Sequence, residues 1–134
     1  MWYKIITKGA KKMKVYQMTN HNGNAWANQM VVEFERGKPC YCKILQSYQS
    51  LVCMIDFENN KVDFGDNWDY SKTTMRAVSK FLADEIGGKW DKKEILRALK
   101  EGYITMNNGY KCEGWEFSTA CDDFFNDFFK YAHN

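Results

Sequence analysis

The sequence predicts an α+β fold, an antiparallel sheet of four to six strands packed by two or three helices. Three observations predict it. Up to Phe64, short runs rich in β-branched and aromatic residues are separated by Asn, Gly and Pro turn signals. After Ser71, apolar residues recur instead at spacings of three and four, the period of a helix with one buried face. With 134 residues, 45% hydrophobic and 16% aromatic, the chain is long enough to bury about two-thirds of its unfolded surface in one core. A single domain, 1–134, is expected.

Trp2–Ile6 and Met13–Met18 look extended, with Gly9-Ala10-Lys11-Lys12 turning between them. Thr19–Asn24 is a polar loop, since Asn and Gly tolerate positive φ. Ala25–Asn28 either continues it or makes one helical turn. Met30–Glu35 and Cys40–Ile44 are strands joined by Arg36-Gly37-Lys38-Pro39, and Gln46–Ser50 is a polar link into the apolar run Leu51–Ile55. Asn59-Asn60 marks a two-residue turn. Val62 and Phe64 then alternate with Lys61 and Asp63, the pattern of a half-buried strand.

Gly65-Asp66-Asn67 turns the chain again, and Ser71 is placed to cap a helix whose stripe is Met75, Val78, Phe81, Leu82 and Ile86. Gly87-Gly88 stops it. Asp91, with Glu94 three residues on, opens a second helix to about Leu99 with Ile95, Leu96 and Leu99 as its stripe and Gly102 as its stop. A last hairpin is predicted around Asn107-Asn108-Gly109, and Ser118 is expected to cap a final helix carrying Phe124, Phe125, Phe128 and Phe129.

The net charge of +2 excludes a strongly basic nucleic-acid binder and an acidic DNA mimic. The charge is uneven, with eight Lys/Arg against four Asp/Glu in residues 1–60 and eleven against thirteen thereafter. Lys8, Lys11, Lys12 and Lys14 contribute much of the basic excess. They form a solvated edge or a weak phosphate contact. Met1–Ile6 runs into lysines instead of the apolar stretch of a signal peptide, and no segment reaches the length of a membrane span. The five cysteines are odd in number and are expected to be reduced in a cytosol.

Cys40-x-Cys42 places two thiols on one face of a strand, and Cys53, Cys112, Cys121 or His21 could complete a tetrahedral zinc site. Structural zinc sites more often open with two residues between cysteines, so core packing is the favoured role and a structural zinc the alternative. No other cofactor is expected. Cysteine hydrolysis would need His21 or His133 beside a thiol, acid–base work would fall to Asp66 and Asp69 in a turn, and Gly87-Gly88-Lys89 follows a helix where a phosphate loop would open one. No constellation points to an enzyme. Phe124, Phe125, Phe128 and Phe129 form an aromatic band that is core or, if exposed, a partner surface.

Gln46–Phe81, with SYQSLV, a turn and WDYSKTT leading into a helix ending KFL, resembles small proteins of bacteriophages and mobile elements that share a Y-x-S-L-V strand and a W-D-Y-S-[KR]-T-T motif. The resemblance spans about a quarter of the chain. It implies a phage or prophage setting, a bacterial cytoplasm, and a protein that inhibits a host defence factor by occupying its surface, a CRISPR nuclease such as Cas9 among them. Within the motif, Trp68 and Tyr70 flank the strand-to-helix corner, one of them buried across Ser71, with Asp69 and the threonines on the first helical amides. Alternatively, Tyr70, Lys72 and Arg76 stay exposed beside the helix N-terminus and bind a partner's carboxylate or phosphate. The competing class is a nucleic-acid- or zinc-binding accessory protein.

Overall fold

The structure, a computed structural model, describes residues 13–34, 42–104 and 114–119. They form six strands and two helices. The strands are β1 (Met13–Thr19), β2 (Ala25–Phe34), β3 (Cys42–Ser47), β4 (Ser50–Asp56), β5 (Lys61–Phe64) and β6 (Glu116–Thr119), and the helices are α1 (Lys72–Ile86) and α2 (Lys92–Glu101). All six strands join one sheet in sequence order. The α+β expectation holds.

The sheet is mixed, however. β1 to β5 pair antiparallel, whereas β6 lies parallel to β5, with Val62 opposite Phe117 and Phe64 opposite Thr119. A parallel neighbour needs a long crossover, and here both helices supply it. Ser118 therefore sits in a strand, its hydroxyl donating to the Asp63 carboxylate, and caps no helix. The expected last hairpin survives as an antiparallel bridge between Tyr103 and Glu116; its Asn107-Asn108-Gly109 turn and the phenylalanine helix lie outside the described residues.

The helix-facing side of the sheet carries Val31, Leu45, Cys53, Ile55, Val62, Phe64 and Phe117. These pack with Val78, Phe81, Leu82 and Ile86 of α1 and Ile95 and Ala98 of α2. Each large side chain fully buried there stabilises the fold by roughly 1.5–3 kcal/mol. Rings interlock through Phe64, which meets Trp68 edge-on at 5.4 Å and Phe117 at 5.4 Å, and Trp90 stacks on Phe117 at 5.1 Å. The opposite side is buried as well, through Val32, Phe34, Cys42, Ile44 and Met54. Hence Asp63, expected to face water, is buried: alternation predicts two faces of a strand, not whether the second is covered.

Both helix starts follow the predicted chemistry. Ser71 Oγ accepts from the Thr74 amide at 3.1 Å, and Asp91 Oδ1 accepts from the Glu94 amide at 2.8 Å, contacts worth about 1 kcal/mol each. Gly87 and Gly102 end the helices, each donating its amide to a carbonyl four residues back. The stripe of α2 is corrected at Leu96, which is exposed. Ile95 and Ala98 face the core, and Leu96 lies about 100° round the helix from Ile95.

Candidate functional site

The cleft begins with two backbone irregularities. Asn28 takes φ +66°, and Tyr48 takes φ +57°. Ala25–Asn28, expected as loop or helical turn, is the first part of β2; it pairs against β1 through Ala25 before the register shifts. Tyr48-Gln49 is the tight turn between β3 and β4. The Tyr48 amide donates to the Asn28 carbonyl at 2.7 Å and ties the two irregular residues together. Positive φ is ordinary for Asn and unfavourable for Tyr.

The facing wall is the turn before α1. The Gly65 amide donates to the Val52 carbonyl at 3.0 Å, the Trp68 amide to the Gly65 carbonyl at 3.2 Å, and the Tyr70 amide to the Asn67 carbonyl at 3.1 Å. Trp68 is 5% exposed and Tyr70 77%, so one ring anchors the corner in the core while the other stands in solvent. Side chains stitch the walls together. Ser71 Oγ donates to Thr74 Oγ1 at 3.1 Å, Thr74 Oγ1 and Ser47 Oγ share a bond of 2.9 Å in which either can donate, and Asn67 Nδ2 donates to Ser50 Oγ at 3.2 Å.

Between the walls lies a cleft of about 860 Å³, within the size range of ligand sites. Its lining draws on Asn28, on Gln46 through Ser50 with Val52, and on Asn67, Tyr70 and Thr74. SYQSLV and WDYSKTT thus face each other across one opening. Lys72 and Arg76 are exposed on the first turns of α1 and are not part of the lining. Of the three residues proposed for partner contact, the structure sets Tyr70 on the cleft and the two cations beyond it. Asp69 serves no helical amide; its carboxylate lies 3.6 Å from Lys92 Nζ. Asp66 is exposed in the turn.

Behind this cleft is a residue that sequence reasoning missed. Gln29 pairs with Ser47 across β2 and β3. It is 0% exposed, and among the described residues neither its amide nitrogen nor its carbonyl oxygen has a hydrogen-bond partner. A glutamine at the start of a strand-like run carries no signal of this in sequence, because the covering elements come from elsewhere in the chain.

The other candidates lie elsewhere in the fold or outside the described residues. Cys42 and Cys53 are both buried, on opposite faces of the sheet, and burial pushes the Cys53 thiol well up, with Asp63 adding to it. Cys40, Cys112 and Cys121 lie outside the described residues, as do Lys8, Lys11 and Lys12. His21 is exposed in the β1–β2 loop, its ring edge-on to Trp26 at 5.7 Å. Among the described residues, no three His, Cys, Asp or Glu side chains are grouped to hold a metal ion. Lys14 is exposed on β1. Among the described residues, no helix is long and apolar enough to cross a membrane.

Among the described residues, an α+β domain built on a mixed six-stranded sheet, with an uncharged cleft where a strand turn meets a helix start, is the class that fold and site define. Within that class, the chain belongs to the family described as "Family of unknown function (DUF8033)", whose model matches residues 13–97. That span holds β1 to β5, α1, both walls of the cleft and the first part of α2. No curated protein and no solved structure matches the chain.

Proposed function

We propose that this chain is a phage- or prophage-encoded binding protein that grips another protein at the cleft between Tyr48 and Tyr70 and performs no chemistry of its own. One observation carries the reading: the two segments that define the resemblance, separated in sequence, are joined by the Ser47–Thr74 hydroxyl bond around a single opening. The half-exposed Tyr48 and the fully presented Tyr70 offer the rigid aromatic contacts that dominate binding surfaces. The partner class comes from the resemblance to phage and mobile-element proteins. It is a host defence protein in a bacterial cytoplasm, a CRISPR nuclease such as Cas9 being the first to test.

The test is DNA cleavage by a purified Cas9–guide complex with increasing amounts of this protein, alongside capture of partners from nuclease-treated bacterial lysate. Inhibition that saturates near one to one, or stoichiometric recovery of another defence protein, supports the reading. Tyr70→Ala should then weaken the effect about tenfold or more, as expected of an interface hot spot. Salt-sensitive recovery of nucleic acid alone, or stoichiometric zinc with no protein partner, would replace it with the accessory-protein reading.

A further inference from the structure

Resting on the binding reading above, we infer that the cleft takes an uncharged, hydrogen-bonding loop of the partner protein, recognised by side-chain amides and tyrosines instead of by ion pairing through Lys72 and Arg76. The first ground is the lining itself. Charged residues make up 27% of the chain, yet among the described residues the cleft lining includes no Asp, Glu, Lys, Arg or His. A phosphate or carboxylate ligand would find no cation among the described lining residues to meet it. An aliphatic ligand would meet a single aliphatic side chain among the described lining residues, Val52.

The second ground is what replaces charge. Carboxamides both donate and accept, which matches the peptide group. Gln46 Nε2 donates one hydrogen to the Tyr48 carbonyl at 2.9 Å, and Asn67 Nδ2 one to Ser50 Oγ. Those bonds fix the two side chains and leave their carbonyl oxygens as oriented acceptors for a partner's N–H groups. Gln49 and Asn28 are exposed and bring further amides. Tyrosine with small hydroxyls and amides is the composition of surfaces that recognise polar protein loops, where the aromatic ring supplies area at low entropic cost and the amides adapt.

The third ground is that this end of the molecule holds features that folding alone would not favour. Two of the three non-glycine residues with positive φ among the described residues line the cleft. The buried amide of Gln29, unpartnered among the described residues, lies one strand pairing away, opposite Ser47. Backbone strain and unsatisfied buried polar groups collect at binding sites because the site's geometry is selected for its ligand.

The experiment uses the full-length protein, immobilised, to select from a random dodecapeptide library displayed on phage. The expected result is enrichment of uncharged peptides whose affinity changes less than about twofold between about 50 and about 500 mM NaCl. It should fall at least about tenfold in Tyr48→Ala and in Gln49→Arg, and hold in Lys72→Glu. Gln49 sits on an exposed turn, and circular dichroism verifies that each variant is folded. Four results would overturn the inference: enrichment of acidic peptides with a steep salt dependence, peptides indifferent to Tyr48 and Gln49, no cleft-dependent peptide at all, or cleft amide resonances that shift with maltopentaose or chitotetraose and not with peptide. Cleft-dependent peptides without any defence-protein partner would leave this inference standing and sink the partner class proposed above. A captured partner lost in Lys72→Glu but retained in Gln49→Arg would do the reverse.

Discussion

The two ends of the sheet solve the same problem in opposite ways. At the β4–β5 turn, Asp56 is buried, and its carboxylate is fully engaged: Oδ1 accepts from the amides of Glu58 and Asn59 at 3.0 Å each, and Oδ2 from Asn59 Nδ2 at 2.8 Å. The one residue there with positive φ is an asparagine, Asn60, which tolerates it. At the β2–β3–β4 end, the buried Gln29 has no partner among the described residues, and the strained position is held by a tyrosine. The first end is built for stability. The second gives up stability around a cleft, so substitutions at the two ends should move stability in opposite directions.

The largest effect is expected at the satisfied end. Asp56→Ala removes three hydrogen bonds to a charged acceptor and should lower unfolding free energy by about 2–3 kcal/mol, read from urea denaturation. Gln29→Leu should act in the other direction, raising stability by about 1–2 kcal/mol by removing an unpaired buried amide at similar volume. A loss of stability in that variant would mean that the amide is satisfied in solution, and the contrast would fail. Tyr48→Asn should add about 0.5–1 kcal/mol by relieving the left-handed backbone, while weakening partner binding.

The smallest effect in ordinary buffers concerns a third region, where α1 meets β1 to β3. Lys43 Nζ lies 2.8 Å from Glu85 and 3.7 Å from Glu33. Burial opposes the charge on Lys43, but the Glu85 hydrogen bond, with the charges around it, outweighs this and raises its pKa above the ordinary 10.5. Tyr16 is also raised above 10.0, by burial first and then by Glu85 and Glu33, with Lys43 opposing. In both cases the folded state holds the proton more tightly. The stabilisation is therefore complete below the ordinary values and is lost as pH rises through about 10 and beyond. Denaturation midpoints should be insensitive to these groups from about pH 7 to 9 and fall above that, and Tyr16→Phe with Lys43→Met should flatten the fall.

How much of this was legible in the sequence depended on how local the cause was. The caps at Ser71 and Asp91 and the stops at Gly87 and Gly102 each rest on a few neighbouring residues, and each was readable; that one ring of Trp68 and Tyr70 anchors the corner was readable too, but not which one. The face on which Asp63 lies, the parallel partner of β5 and the strand character of Ala25–Asn28 depend on segments far away in the chain. For the site, the heptapeptide pointed to one wall. The opposite wall looked like a polar link, since Tyr48 and Gln49 acquire meaning once β3 and β4 close against α1. Gln29 had no signature at all, because an orphaned amide is defined by its surroundings.

The parallel pairing of β6 also has a consequence for how the chain assembles during synthesis. β1 to β5 pair with their neighbours in chain order, but β6 reaches its slot only after both helices have been made and the crossover is in place. Until then the free edge of β5 is a row of open amides and carbonyls on the nascent chain, the kind of seam along which unfinished molecules join one another. The family span stops before β6; among the described strands, β6 is the last to be made and covers the edge of β5 that the earlier strands leave open.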